Sequence, residues 1–183
     1  MKTIFIFMMS LVITGVIFAQ DAPVDKKAHR AAKKELKNAK IQKQYEAMSS
    51  LLDSMAFVLE ANTLSYPSGT FVNVPSNLNF IMVDSITGVI QVGSNHRIGA
   101  NGVGGVTAKG NISRWKLSKN DKNKSFGVTF SLMSSIGIYD VTMYISSDGT
   151  ANATLTGITP GQLYFKGRIL NFAESRVYEG HSI

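Results

Sequence analysis

Residues 138–170 read IYDVTMYISSDGTANATLTGITPGQLYFKGRIL. Tyr139, Val141, Met143 and Ile145 alternate with Asp140, Thr142 and Tyr144. Ala151, Ala153 and Leu155 alternate with Asn152, Thr154 and Thr156, and Leu163, Phe165 and Ile169 with Tyr164, Lys166 and Arg168. Side chains of an extended chain point to opposite faces in turn, so each run predicts a strand with one buried face. Asp148-Gly149 is a hairpin turn pair and Pro160-Gly161 suits a type II turn. Connections this short cannot carry a crossover helix, so the three strands form an antiparallel meander.

The same grammar extends upstream. Phe126–Met133 turns Val128, Phe130 and Leu132 inward, after a polar loop at Asn120–Lys124. Val106–Ser118 is long and changes parity: Val106, Ala108 and Ile112 share one face, while Trp115 and Leu117 belong to the other. A bulge near Asn111–Ser113 would reconcile them. Asn79–Asp84 and Val89–Val92 flank the turn Ser85-Ile86-Thr87-Gly88, Thr70–Val74 is a weak strand, and Phe57–Ala61 is a short first one. About seven to nine strands with one helix predict a mainly β fold: an antiparallel meander forming a barrel-like or two-layer curved sheet, closure being the way to remove exposed edges.

The helix is residues 25–53. It lacks Gly and Pro, is rich in Ala, Lys, Leu and Gln, and has Asp25 as a candidate N-cap. Ile41, Tyr45, Met48, Leu52 and Met55 fall at steps of four, three, four and three, an apolar stripe on one face. Lys26, Lys27, Arg30, Lys33, Lys34, Lys37, Lys40 and Lys43 make the part before that stripe basic, with little apolar surface beyond alanine. The expectation is a docked second half and a solvated first half. An anionic surface is the partner that such a charge run would meet.

The N-terminus has one cation, Lys2, then an apolar run from Ile4 to Phe18, then Ala19 before polar Gln20 and Asp21. That order predicts a secretory signal over residues 1–19, with Ile17 and Ala19 at the positions the peptidase reads. Residues 20–24 would be a short linker and residues 54–183 the β domain. The apolar run is short for a membrane span, so no transmembrane segment is expected after cleavage. The chain has no cysteine, which removes both a lipid-carrying N-terminal cysteine and disulfides. The expected location is exported, periplasmic or secreted. The formal net charge of +7 is uneven: residues 21–46 carry eight Lys/Arg against four Asp/Glu, and residues 47–183 carry ten against eight. Basicity is therefore a local property of the helix, and no nucleic-acid partner is implied.

Five stretches occur together in a fixed order: Phe57-Val58-Leu59-Glu60-Ala61 after a charged helix; Asn79-Phe80-Ile81 with Val92 soon after; Gly99-Ala100-Asn101-Gly102-Val103-Gly104-Gly105-Val106-Thr107 leading to Gly110-Asn111-Ile112; Gly149-Thr150-Ala151; and Leu163-Tyr164-Phe165-Lys166-Gly167-Arg168-Ile169. The set resembles an exported Gram-negative family called domain of unknown function 4251. The resemblance covers nearly all of the chain after the signal. It implies a secreted or periplasmic β-rich domain and brings no catalytic residues with it.

No constellation of reactive groups stands out. His29, His96 and His181 have no partner at metal-ligand spacing, so no metal or other cofactor is expected. No Gly-x-Ser-x-Gly elbow is present, and Asp84, Asp121, Asp140 and Asp148 fall on polar faces, at strand ends or in loops. Glu60 alone sits in an apolar run; pairing with a basic residue or exposure on one face is expected of it. The glycine-rich loop 99–105 lacks the strand–loop–helix setting and the Gly-Lys-Ser/Thr of a phosphate loop, so a tight connection between strands is the expectation. Trp115, flanked by Arg114 and Lys116, reads as barrel core. If the domain binds a small ligand or an envelope component, the barrel mouth formed by His96, Arg97, Asn101, Gly102, Gly104, Gly105 and Trp115 is the candidate surface. The sequence leads to a non-enzymatic ligand- or partner-binding β domain, with an envelope-interaction protein acting through the basic helix as the alternative.

Overall fold

The structure is a computed structural model that describes residues 26–94, 101–158 and 161–182. The signal segment, the linker and Asp25 lie outside the described residues, as do His96, Arg97 and Pro160. The chain divides into two compact units, Met1–Glu35 and Leu36–Ile183. What is described of the first unit is helical, and its residues from Lys26 onward are exposed.

Helix α1 runs Lys26–Asp53, followed by nine strands: β1 Ala56–Ser65, β2 Phe71–Asn73, β3 Phe80–Asp84, β4 Thr87–Val92, β5 Val106–Asn120, β6 Ser125–Ser134, β7 Gly137–Ser146, β8 Thr150–Ile158 and β9 Gly161–Leu170. The order is β2-β1-β3-β4-β5-β6-β7-β8-β9, every pairing is antiparallel, and β9 returns to pair with β1. Eight strands therefore close a barrel. The short β2 extends the β3 side of β1, pairing Thr63 with Asn73 and Ser65 with Phe71.

Of the two architectures open to the sequence, the barrel is the one adopted, and three local readings change. Strand β1 does not stop at Ala61. An irregularity between Ala61 and Thr63 absorbs Asn62, and the strand continues to Ser65 against β2 and β9. The β3–β4 turn is Ser85-Ile86 alone, because Asp84 pairs with Thr87 and Gly88 already pairs with Val83. Ser85 supplies the positive φ, 53°, that a two-residue hairpin turn needs at its first position. The β5 bulge lies further on than Asn111–Ser113. Three steps from Ser113 to Lys116 oppose two steps from Ser131 to Thr129, and Arg114 has φ 55°. This one extra residue lets Ile112, Trp115 and Leu117 all pack on the core.

The barrel interior is filled by side chains from every strand of the ring. Phe57, Leu59, Ile81, Val83, Ile90, Phe126, Val128, Leu132, Val141, Met143, Ile145, Phe165 and Ile169 belong to one buried cluster. Trp115 lies between Phe57 and Phe130, with ring centroids 6.3 and 5.8 Å away. Side chains that meet across such distances hold one another in fixed rotamers, and each buried Phe or Leu contributes about 1.5–3 kcal/mol.

Residues 41–55 close one end of the barrel. Leu52 is fully buried and Tyr45 is 6% exposed, with Met48, Leu51 and Met55 packed beside them. The Tyr45 ring stacks on Phe126 at 4.7 Å, its hydroxyl donates to Asp121 Oδ1 at 2.9 Å, and Lys124 Nζ sits 4.8 Å from its centroid. Lys119 Nζ reaches Asp53 at 2.6 Å and Ser49 at 2.8 Å. The helix ends where Met55 turns left-handed, φ 51°, with Met55 N–H donating to Leu52 O at 3.2 Å.

Burial, then the hydrogen bond to Asp121 and its negative charge, push the Tyr45 phenol pKa upward from its ordinary value. The folded state thus favours the neutral phenol. Its contribution to stability is complete below about pH 10, the unfolded value, and is lost as the pH rises through the higher folded value. Urea midpoints of the native chain and Tyr45→Phe, measured from pH 8 to 11, are expected to converge above pH 10. A constant gap would show that the phenol does not carry this linkage.

Candidate functional site

The glycine-rich loop has a definite job, and its described residues perform it together with the end of the chain. Asn101 is fully buried. Its Oδ1 accepts the N–H groups of Val103 at 3.1 Å and Gly105 at 3.0 Å, and its Nδ2 donates to Thr107 Oγ1 at 3.0 Å. Thr107 donates onward to Gln91 Oε1 at 2.9 Å. Gln91, also fully buried, accepts Gly180 N–H at 2.8 Å and donates to the carbonyls of Leu78 at 3.1 Å and Tyr178 at 2.9 Å. His181 N–H closes the ring on Asn101 O at 2.9 Å. Gly105 is a glycine because a Cβ there would stand 1.9 Å from Val92 O.

Gln91 and Thr107 point away from the barrel interior, yet both are buried. The cover is the segment 171–182, which follows β9 and crosses the outside of β1, β3 and β4. Val177 packs on Val58, Phe80 and Val89, a small apolar cluster separate from the main core. Glu60 holds the same segment from β1. Its Oε1 accepts Ser175 Oγ at 2.8 Å and Arg176 N–H at 2.9 Å, and its Oε2 accepts Ser76 Oγ at 3.2 Å. Glu60 thus has neither of its expected fates: it pairs with hydroxyls and a backbone N–H, half-buried under the segment.

Of the sequence-predicted site, Asn101 and Gly105 belong to this latch, Gly104 lies in sequence between its bonded residues Val103 and Gly105, and Gly102 is exposed beside His181. Trp115 is in the barrel core, so it does not join them. His96 and Arg97 lie outside the described residues. The latch offers amides and a hydroxyl that are already bonded to one another. Among the described residues, every buried side-chain nitrogen or oxygen has a partner. The sequence reading missed segment 171–182 because it has no periodicity. The available signal lay elsewhere, in the apolar runs Phe57-Val58-Leu59 and Phe80-Ile81-Met82-Val83, where both parities are hydrophobic and both faces therefore need cover.

Concave features lie elsewhere among the described residues. A groove of about 340 Å³ lies between the docked half of α1 and the β7–β8 turn. Met48, Leu51 and Leu170 are apolar in its lining, and Arg168, Asp148 and Glu174 charged. A depression of about 240 Å³ lies beside the β5 bulge, lined by Arg114, Thr129, Ser131, Asp140 and Thr142 among others. Among the described residues no group of three or more His, Asp or Glu could hold a metal ion, and no helix is long and apolar enough to cross a membrane.

On α1 itself, Lys26, Arg30, Lys33, Lys37 and Lys40 recur at steps of four, three, four and three, all exposed. Such spacing puts five cations on one helix face. Neighbouring like charges cost an isolated helix about 0.2–0.5 kcal/mol per pair, a repulsion that an anionic partner would relieve.

No curated protein matches the chain. Among solved structures, a DUF4251 family protein from Bacteroides eggerthii is similar at 29% sequence identity and a TM-score of 0.60, over 72% of this chain and 90% of that one. The model of the family described as "Domain of unknown function (DUF4251)" matches residues 39–169, from α1 to the last strand of the barrel. The closed antiparallel barrel and this match agree with the order of motifs quoted above, and the chain belongs to the DUF4251 family.

Proposed function

We propose that the chain is an exported, non-enzymatic interaction domain, in which the barrel is a rigid carrier and α1 contacts an anionic surface of the cell envelope. The observation that carries this reading is the row of exposed cations on α1, taken together with a barrel interior occupied by aromatic and aliphatic side chains. A filled core leaves binding to the outside of the molecule. In the described part of the loop that the sequence singles out for a small ligand, the Asn101 side chain bonds the loop's own amides and Thr107 and its carbonyl accepts His181 N–H, which supports a partner met by surface over a ligand held in the barrel mouth. Export rests on the charged, apolar, small-residue order of residues 1–19.

The test is cosedimentation of the chain from Gln20 onward with phosphatidylglycerol vesicles and with phosphatidylcholine vesicles. Each lysine near an anionic surface is worth about 1 kcal/mol. Replacing Lys33, Lys37 and Lys40 together by Gln is therefore expected to weaken binding to the anionic vesicles about 100-fold, and 0.5 M salt to do the same to the native chain. Equal binding of native and substituted chains, or no binding to anionic vesicles at low salt, would remove α1 as the contact.

A further inference from the structure

We infer a second and independent site: the outer face of β6–β9, with its edge on β5, is built to bind an anionic oligosaccharide. Strand register lays two files of side chains across this face. One runs Lys116, Thr129, Thr142, Thr154, Tyr164, each the direct partner of the next. The other runs Ser118, Gly127, Tyr144, Asn152, Lys166. Outward-facing barrel positions need only be polar; here they are hydroxyls, an amide, two phenols and two lysines. Neither file contains a carboxylate.

Tyr144 is the centre of the site. It is 55% exposed and stands in its file between Gly127, which has no side chain, and the short Asn152. Its ring is therefore not shielded by bulky file neighbours. The C–H face of a pyranose carries slight positive charge and lies favourably on the negative face of an aromatic ring. Hydroxyls of a sugar stacked there would reach Asn152 on β8 and Thr142 on the same strand, groups that donate and accept. Lys166 stands two strands away, about 10 Å at ordinary strand spacing, a distance that a disaccharide spans. The charge selects the ligand class: Lys116 and Lys166 are exposed. Asp140, the acid of the adjoining file on β7, is already paired with Arg114 at 2.9 Å and accepts Ser131 Oγ. A carboxylate-bearing sugar therefore fits better than a neutral one. The 240 Å³ depression at the β5 bulge shares Thr129 and Thr142 with this face and gives the saccharide chain a concave place to continue.

Affinity electrophoresis through gels containing polygalacturonate or dextran tests this. The native chain is expected to be retarded by polygalacturonate and far less by dextran. Tyr144→Ala should weaken the retardation at least tenfold with an unchanged melting temperature, since the side chain is exposed. Tyr144→Phe should restore it, because stacking needs the ring and not the hydroxyl. Lys166→Gln should narrow the gap between the two polysaccharides. Retardation that is absent, or that survives Tyr144→Ala, overturns the site. So does retardation lost only when the α1 lysines are replaced, which would make α1 the polyanion contact. A monomer–dimer equilibrium abolished by Tyr144→Ala would assign the face to a second copy of the chain instead.

Discussion

Gly167→Ala is expected to lower the melting temperature by roughly 6–12 °C. Gly167 pairs with Ala61 on β1 and with Ala151 on β8, at the seam where the barrel closes. A Cβ there would sit 1.8 Å from Glu60 O and 2.7 Å from Ala61 Cα. Both are backbone atoms of a strand held by pairs on either side, so neither can rotate away. One methyl group must push β1 and β9 apart along the pairing that closes the barrel. Overpacking of this kind costs about 1–3 kcal/mol and occasionally more; the backbone contacts place Gly167 at the upper end. At about 2–4 °C per kcal/mol for a chain of this length, the stated fall follows. Gly69 is the control. It has φ +84° but nothing within 4 Å of a Cβ, so Gly69→Ala bears conformational strain alone and should cost about 1–2 kcal/mol. Equal melting temperatures for native and Gly167→Ala chains would mean that the seam yields, and that closure is looser than the register indicates.

The seam also shows what the sequence reveals and what it hides. Alternation in residues 138–170 specified three strands and their inward faces, because a half-buried strand has to alternate. Gly167 interrupts that alternation at an inward position, and its reason is a backbone that would stand 1.8 Å from any Cβ there and that belongs to a strand about a hundred residues earlier. Neither register nor closure can be read locally. The bulge is intermediate. The parity change between Ile112 and Trp115 showed that one extra residue was needed, but its placement at Arg114 depends on how β6 pairs. The candidate site was legible only in part. Glycines at 102, 104 and 105 indicated a crowded connection. What crowds Gly105 is Val92, and what the loop holds is segment 171–182, whose hydrogen bonds to Gln91 and Asn101 span about ninety residues in one case and eighty in the other.

That segment is held down chiefly through the buried Gln91 amide. Gln91→Leu should make residues 175–182 a preferred protease target and speed amide exchange at Gly180 by at least a hundredfold. Leucine nearly preserves volume but has no hydrogen-bonding atoms. It leaves the Leu78 and Tyr178 carbonyls, Gly180 N–H and the Thr107 hydroxyl without their partner. Each buried polar group left unpaired costs about 1–3 kcal/mol. The chain can avoid most of that cost by letting the segment lift, which exposes the abandoned groups to water. Lifting also uncovers Val58, Phe80 and Val89, now packed under Val177, so binding of a hydrophobic dye should rise with the exchange rate. The global melting temperature should fall less than the exchange rate implies, because the barrel core lies on the other side of these strands and is not opened. A surface pair supplies the contrast. Lys109 and Glu179 meet at 2.9 Å on the same segment, but both are substantially exposed, so Lys109→Ala should change stability by less than about 1 kcal/mol and leave Gly180 protected. If Gln91→Leu and Lys109→Ala behave alike, the buried amide is not what holds the segment down, and the apolar contact of Val177 together with Glu60 must carry it.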